Sequence, residues 1–218
     1  MRLDTKMLCT LAVMSALAFI LVALIQIPLV PAAPFLRYEP KDVIIITAGF
    51  IYGPLAAFAI AVVVSFIEMI TVSTTAYWGL LMNIISSTAL CCTAAFIYKK
   101  KRTLKGALLG LIVGVLFATT IMMMWNYIVV PIFMGVPRAE VVPFLLPAFL
   151  PFNLISNSLN AALTLLLYKH VVKILQVTRM MPPADTEKQK KFNLGIFIAA
   201  LFVILTCVLW ILILRGIF

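Results

Sequence analysis

From Met7 to Ile27 the chain carries no charged side chain, and charge-free apolar runs of this kind recur at 106–137, 141–168 and 192–214. A helix needs about 20 such residues to cross the hydrocarbon core of a bilayer, and hydrocarbon offers a backbone no hydrogen bonds but its own. The repeated blocks therefore predict an all-α, polytopic membrane protein. Composition agrees. Of 218 residues, 65% are hydrophobic and 11% charged, whereas a soluble domain has roughly 45–50% apolar and about 25% charged residues. A water-soluble globular fold is excluded, and almost no chain is left over for a soluble catalytic domain.

Proline and glycine divide the blocks. The first helix is expected from about Met7 to Ile27, halted by Pro28, Pro31 and Pro34, because proline donates nothing to a helix and restrains its predecessor. A long loop, Pro28 to Asp42, follows. Gly53-Pro54 is a turn signal; it splits the next block into a short helix from Val43 to Tyr52, too short to span unaided, and a third helix from Leu55 to Val72. A fourth is expected over Gly79–Tyr98, a fifth over Leu104–Val130 ending at Pro131, and a sixth from Phe144 to Val172 with Pro147 and Pro151 near its start. The polar, proline-broken QVTRMMPPADTEKQKK reads as a linker before a last apolar block, Phe192 to Leu214. These boundaries divide the chain into a six-helix membrane domain (1–176), a cytoplasmic linker (177–191) and an additional transmembrane helix (192–218).

The net charge of +10 is not a nucleic-acid signature, because the basic residues cluster in short segments between apolar blocks. Arg2, Lys6, Lys99, Lys100, Lys101, Arg102, Lys105, Lys169, Lys173, Arg179, Lys188, Lys190 and Lys191 fall on one side, against Arg37, Lys41, Arg138 and Arg215 on the other. By the positive-inside rule the first side is cytoplasmic, as is the N-terminus, and the location is the cell membrane. The first block follows Arg2 and Lys6 as a signal peptide would, but has no small-residue cleavage site and reads as a retained helix. The segments Pro28–Asp42, Thr71–Trp78 and Pro131–Pro143 then face outward. They hold prolines, aromatics and polar groups, so a binding site open to the outside is the expectation. Cys9, Cys91, Cys92 and Cys207 all lie in apolar blocks without metal-ligand spacing, which predicts neither disulfide nor metal site.

Glu68 is the one acidic residue inside an expected span, and an intramembrane carboxylate is costly enough to suggest function by default. The alternative is a carboxylate that snorkels to the interface or pairs with Arg37 or Lys41. Asn83, Asn126, Asn153, Asn157 and Asn160 must find hydrogen bonds too. Asn126 and Asn153 sit near outer helix ends, where two amides can read the donor and acceptor edge of a heterocycle. Asn157 and Asn160 lie deeper and read as helix-to-helix ties. Tyr38, Tyr77, Trp78, Trp125, Tyr127 and Phe152 gather at the outer level, either as an interfacial belt or as stacking walls for a flat ring. Ala12-x-x-x-Ala16, extended by Ala23, forms a smooth helix face that another helix can approach closely; Gly106, Gly110 and Gly114 read as internal packing. His170 reads as a helix-end cap. No nucleotide-binding loop, catalytic triad, HExxH or paired carboxylate occurs, so no enzyme is expected.

The runs FLRYEPKDVIIITAGFIYGPLAAF, SFIEM, GLLMNIISS, YKKKRTLKGA, WNYIVVPIFMGVPR and PFNLISNSLNAALTLLLYK together are similar to the substrate-binding S components of energy-coupling factor (ECF) vitamin transporters, above all the riboflavin-specific kind, over about Lys6 to Gln176. The resemblance implies a six-helix membrane protein that binds riboflavin near the outer face as a transported ligand, with no cofactor. It further implies association with a transmembrane T component and two cytoplasmic ATPases, and toppling in the membrane to release the vitamin inward. It places flavin contacts at Leu36, Tyr38, Gly79, Asn126 and Asn153, and the T-component contact at Ala12 and Ala16; Ser156, Glu68 and Trp78 complete the expected substrate-binding set. Ser156 stands where the family's PFNxxK pattern has lysine, a departure that bears on the choice of flavin. The last apolar block also lies outside the six-helix pattern. Flavin mononucleotide or another vitamin is the alternative cargo. A secondary transporter coupled to protons through Glu68 is a further alternative, though no inverted repeat of broken helices is evident.

Overall fold

The computed structural model describes residues 5–31, 33–177 and 194–215. It is an all-α bundle in which, among the described residues, six helical stretches are long and apolar enough to cross a membrane. Helix α1 covers Thr5–Leu24, and β1 (Ile27–Pro28) pairs antiparallel with β2 (Arg37–Tyr38). Next come α2 (Lys41–Tyr52) and α3 (Pro54–Thr71). Helix α4 (Ala76–Ser87) continues through a π-helical turn, Thr88–Cys92, into α5 (Thr93–Lys101). Helix α6 covers Leu104–Met134, and α7 (Arg138–Phe144) passes through a second π-helical turn, Leu145–Phe149, into α8 (Leu150–Val177). The last helix is α9, Leu194–Leu214. Apart from Val177, the expected linker at 177–191 lies outside the described residues, as does Arg2.

Several boundaries differ from expectation, each for a local reason. Helix α1 stops three residues before Ile27 because Ile27 and Pro28 are drawn into the pairing with Tyr38 and Arg37. Lys41 and Asp42 belong to the first turn of α2, where the acidic Asp42 suits the positive end of the helix dipole. Helix α6 runs through Pro131 to Met134 and ends at Gly135 in the left-handed region (φ 67°). A proline deprives a helix of one hydrogen bond, which a packed membrane helix tolerates within its last turn. For the same reason the segment 138–143 is helix instead of loop: Pro143, Pro147 and Pro151 lie four residues apart along α7 and α8, and the wide π turn absorbs the missing bonds.

The Gly53-Pro54 break is as the sequence indicates. Gly53 takes φ 99° and ψ 174°, a conformation open essentially to glycine alone, and Pro54 starts α3 at a position where no N–H is missed. Helix α2, with 12 residues, is too short to span and lies buried among α1, α3, α5 and α8. Gly110 and Gly114 bring α6 onto the backbone of α5 and the π turn. A Cβ at Gly110 would lie 2.7 Å from the Ala94 carbonyl oxygen, and one at Gly114 2.8 Å from that of Leu90. Helix α9 packs along α8, sending Cys207, Ile211 and Leu214 against Leu29, Val30 and Tyr38, while Arg215 Nη2 donates to the Pro28 carbonyl at 2.6 Å. Ala12, Ala16 and Ala23 on α1 are exposed.

Candidate functional site

Helix ends and the β1–β2 segment meet at the end of the bundle away from Lys99–Lys105, around a cavity of about 130 Å³. Its walls follow helical periodicity. Helix α4 presents Gly79, Met82, Asn83 and Ser86; α6 presents Met122 and Asn126; α8 presents Phe152, Asn153, Ser156, Asn157 and Asn160. Phe35, Leu36, Arg37 and Glu39 close it from the loop side, and the turn 72–75 from another. Gly79 permits that turn, since a Cβ there would meet Thr75 Oγ1 and Ser73 Oγ.

One side of the cavity is ionic. Lys41 Nζ donates to Glu39 Oε2 at 2.6 Å and to Glu68 Oε1 and Oε2 at 2.8 and 2.7 Å. Asn83 Nδ2 donates to Glu68 Oε2 at 2.6 Å, and Ser87 Oγ to Asp42 Oδ1 at 2.6 Å. Asn160 Nδ2 reaches Asp42 Oδ2 and the Glu39 carbonyl, while its Oδ1 accepts from the Tyr38 hydroxyl at 3.0 Å. Burial, and then the nearby Asp42, push the Tyr38 hydroxyl well above its ordinary pKa, so it stays a donor. Arg37 Nη1 donates to Gln26 Oε1 at 2.7 Å. Glu68, 2% exposed, is thus the ion-paired carboxylate of the two sequence alternatives, with Lys41 and not Arg37 as its partner, and it does not snorkel.

The other side is an amide wall. Asn126 is fully buried, and neither Oδ1 nor Nδ2 has a hydrogen-bond partner; Ser156 Oγ is buried and unpartnered as well. Asn153 Nδ2 donates to the Phe149 carbonyl at 2.8 Å, and Asn157 Nδ2 to Thr119 Oγ1 at 3.3 Å. Buried polar groups are nearly always satisfied. An unpaired amide beside a second amide and a hydroxyl, all on one cavity, presents donors and acceptors to whatever enters.

Of the site residues expected from sequence, Leu36, Glu68, Gly79, Asn126, Asn153 and Ser156 line the cavity, whereas Tyr38 and Trp78 do not. Tyr38 braces Asn160 from behind. Trp78 lies against Tyr77, with ring centroids 4.8 Å apart and planes inclined at 40°. The expected aromatic wall is also smaller than the sequence suggested: among Tyr38, Tyr77, Trp78, Trp125, Tyr127 and Phe152 only Phe152 contributes, joined by Phe35. Helical geometry explains this, because residues next to Gly79 or Asn126 point about 100° away from them. Sequence reasoning missed Gln26, Glu39 and Asp42, and the inward turn of Lys41; the signal was the dense charge pattern YEPKD directly before an apolar block. Among the described residues no His, Cys, Asp and Glu cluster is arranged to hold a metal ion.

A family profile described as "ECF transporter, substrate-specific component" matches residues 6–168. "Riboflavin transporter RibU" of Staphylococcus aureus (strain TCH60) is 28% identical over 179 residues, covering 79% of this chain and 94% of that protein. "Riboflavin transporter FmnP" of Bacillus subtilis (strain 168) is 29% identical over 130 residues, 59% of this chain and 68% of the relative. A solved structure described as "Structure and mechanism of the S component of a bacterial ECF transporter" superimposes with a TM-score of 0.66 at 29% identity, over 78% of this chain and 97% of that one.

Proposed function

Because the chain belongs to the family of substrate-specific components of ECF transporters, membrane proteins of transport and not enzymes, we propose that it captures riboflavin at the outer face of the cell membrane. The observation that carries this reading is the unpartnered Asn126 amide, set with Asn153 and Ser156 on one cavity. The riboflavin transporters among its relatives support a flavin as the ring. In this reading the two amides and the serine hydroxyl pair with the polar edge of the flavin, Phe35, Leu36, Met82, Met122 and Phe152 cover its apolar surface, and Gly79 leaves room for the 72–75 turn to close against it. The ligand undergoes no chemistry. The β1–β2 segment serves as a lid, with Tyr38 bracing it through Asn160.

Delivery inward is assigned to a T component and two cytoplasmic ATPases, met through the exposed face of Ala12, Ala16 and Ala23. The N-terminus is cytoplasmic, on the side of the basic clusters. Purification in detergent, a visible spectrum for co-purified flavin, and titration of riboflavin against flavin and tryptophan fluorescence test the reading. Saturable one-to-one quenching is expected; no flavin and no quenching would overturn it.

A further inference from the structure

Helix α9 begins at Leu194, beyond residue 168 where the family match ends. Its sequence is apolar all round, yet its burial is confined to one side. Ala200, Ile204, Cys207, Ile211 and Leu214 are buried or half-buried, whereas Phe202, Leu205, Val208 and Leu209 are exposed. Alternating intervals of four and three residues put the first set on a single stripe, the seam by which one helix packs on another. The stripe runs along α8 and changes partners on the way. Ala200 joins the main core of the bundle, while Cys207, Ile211 and Leu214 join the cluster that holds Leu29, Val30 and Tyr38, with Ile204 packed against both. Just past the helix, Arg215 Nη2 donates to the Pro28 carbonyl.

The segment reached in this way is the one that closes the cavity. Successive side chains of an extended chain point to opposite faces. Arg37 and Glu39 line the cavity, and Tyr38 between them turns away into the cluster with Cys207. Helix α9 therefore holds the back of a segment whose front faces the ligand. The segment needs such support, because β1 and β2 pair over two residues each and an isolated two-stranded ribbon is marginal at best. The packed stripe carries most of the hold, since the Arg215 hydrogen bond is exposed. We propose that α9 is a clasp on the lid: Cys207, Ile211, Leu214 and Arg215 are positioning residues that keep the β1–β2 segment shut and so lengthen the stay of the bound flavin. This rests on the riboflavin reading and deepens it.

The test uses the purified full chain and a variant combining Ile211→Ala, Leu214→Ala and Arg215→Ala, with Phe202→Ala plus Leu205→Ala on the exposed face as the control. Riboflavin release is followed by stopped-flow fluorescence, and hydrogen exchange of the amides in 27–30 and 35–38 is followed in the ligand-free protein. The combined variant is expected to release riboflavin at least about tenfold faster, and the control within about twofold of the unmodified rate. Exchange in 27–30 and 35–38 is expected to quicken in the combined variant while the rest of the bundle keeps its protection. Lysine at 215 in place of alanine, which restores a donor, should recover part of both effects. Release and exchange that the combined variant leaves unchanged would overturn the proposal and leave the riboflavin reading standing. Exchange that quickens throughout the bundle would make α9 a general support and overturn it as well. An unmodified chain that binds no riboflavin would overturn the riboflavin reading, and exchange in 27–30 and 35–38 then decides by itself whether α9 clasps the segment.

Discussion

Asn126 gives a perturbation whose two effects have opposite signs. In the empty cavity both of its amide atoms are buried and unpaired, and the residue is fully shielded from solvent. An unsatisfied buried polar group costs about 1–3 kcal/mol. Asn126→Leu removes two such groups and keeps nearly the same volume, so the ligand-free protein is expected to hold its thermal midpoint or gain in it. The flavin loses the same pairing that had relieved the amide, and its own polar edge is left unmatched. A loss of about 1–3 kcal/mol corresponds to a Kd raised roughly 5- to 150-fold. The assay is a pair of measurements in detergent: flavin titration by fluorescence, and thermal unfolding with and without saturating ligand, where the shift on ligand addition shrinks with the affinity. A variant that unfolds earlier when empty, yet binds riboflavin as before, would refute the reasoning. It would make Asn126 a structural residue whose partner is another part of the fold.

Lys41→Met strands Glu39 and Glu68 without their cation, and breaking a buried pair from one side costs about 3–5 kcal/mol; adding Glu68→Gln should recover part of the loss, read by thermal unfolding. Gly110→Val places atoms against the Ala94 backbone, 2.7 Å from its carbonyl oxygen, and is expected to cost about 1–3 kcal/mol, while Gly195→Ala, with nothing within 4 Å, should be neutral. Tyr38→Phe gives up the hydrogen bond to Asn160, worth about 0.5–1.5 kcal/mol. Because folding raises the Tyr38 pKa above its ordinary 10.0, its contribution is complete below that value and lost as pH rises beyond it; the alkaline fall in stability should be shallower in the phenylalanine variant.

The helices were legible because hydrocarbon forces the issue: an apolar run of that length has one secondary structure open to it. The split at Gly53-Pro54 was readable for a similar reason, since only glycine takes that φ and ψ without strain. Proline misled elsewhere. Reading it as a terminator suits chains whose freed carbonyls face water, whereas Pro131 and Pro143 sit inside helical segments, as Pro147 and Pro151 were expected to, and the neighbours and π turns take up the loss. The two-residue strands β1 and β2 leave no period to detect. In the cavity, Asn126 and Asn153 could be found because a polar side chain in an apolar run has to be accounted for, and Ser156 through its place in the PFNxxK pattern. Lys41 could be named only as one of two partners for Glu68, 27 residues away, and Asp42 not at all, because its burial depends on Ser87, 45 residues distant.

Those separations impose an order of events. Lys41 and Glu68 belong to neighbouring helices, and can neutralise each other as soon as α2 and α3 exist. Tyr38 and Asn160 are 122 residues apart, and Arg215 lies 187 residues beyond Pro28. During synthesis from the N-terminus, the β1–β2 segment therefore remains without its brace until α8 has emerged, and without the contact from α9 until the chain is nearly complete. Closing so long a loop is entropically slow compared with pairing adjacent helices. The cavity end of the molecule is consequently the last part to be finished, and the early ion pair holds its charges together while the rest of the wall is made.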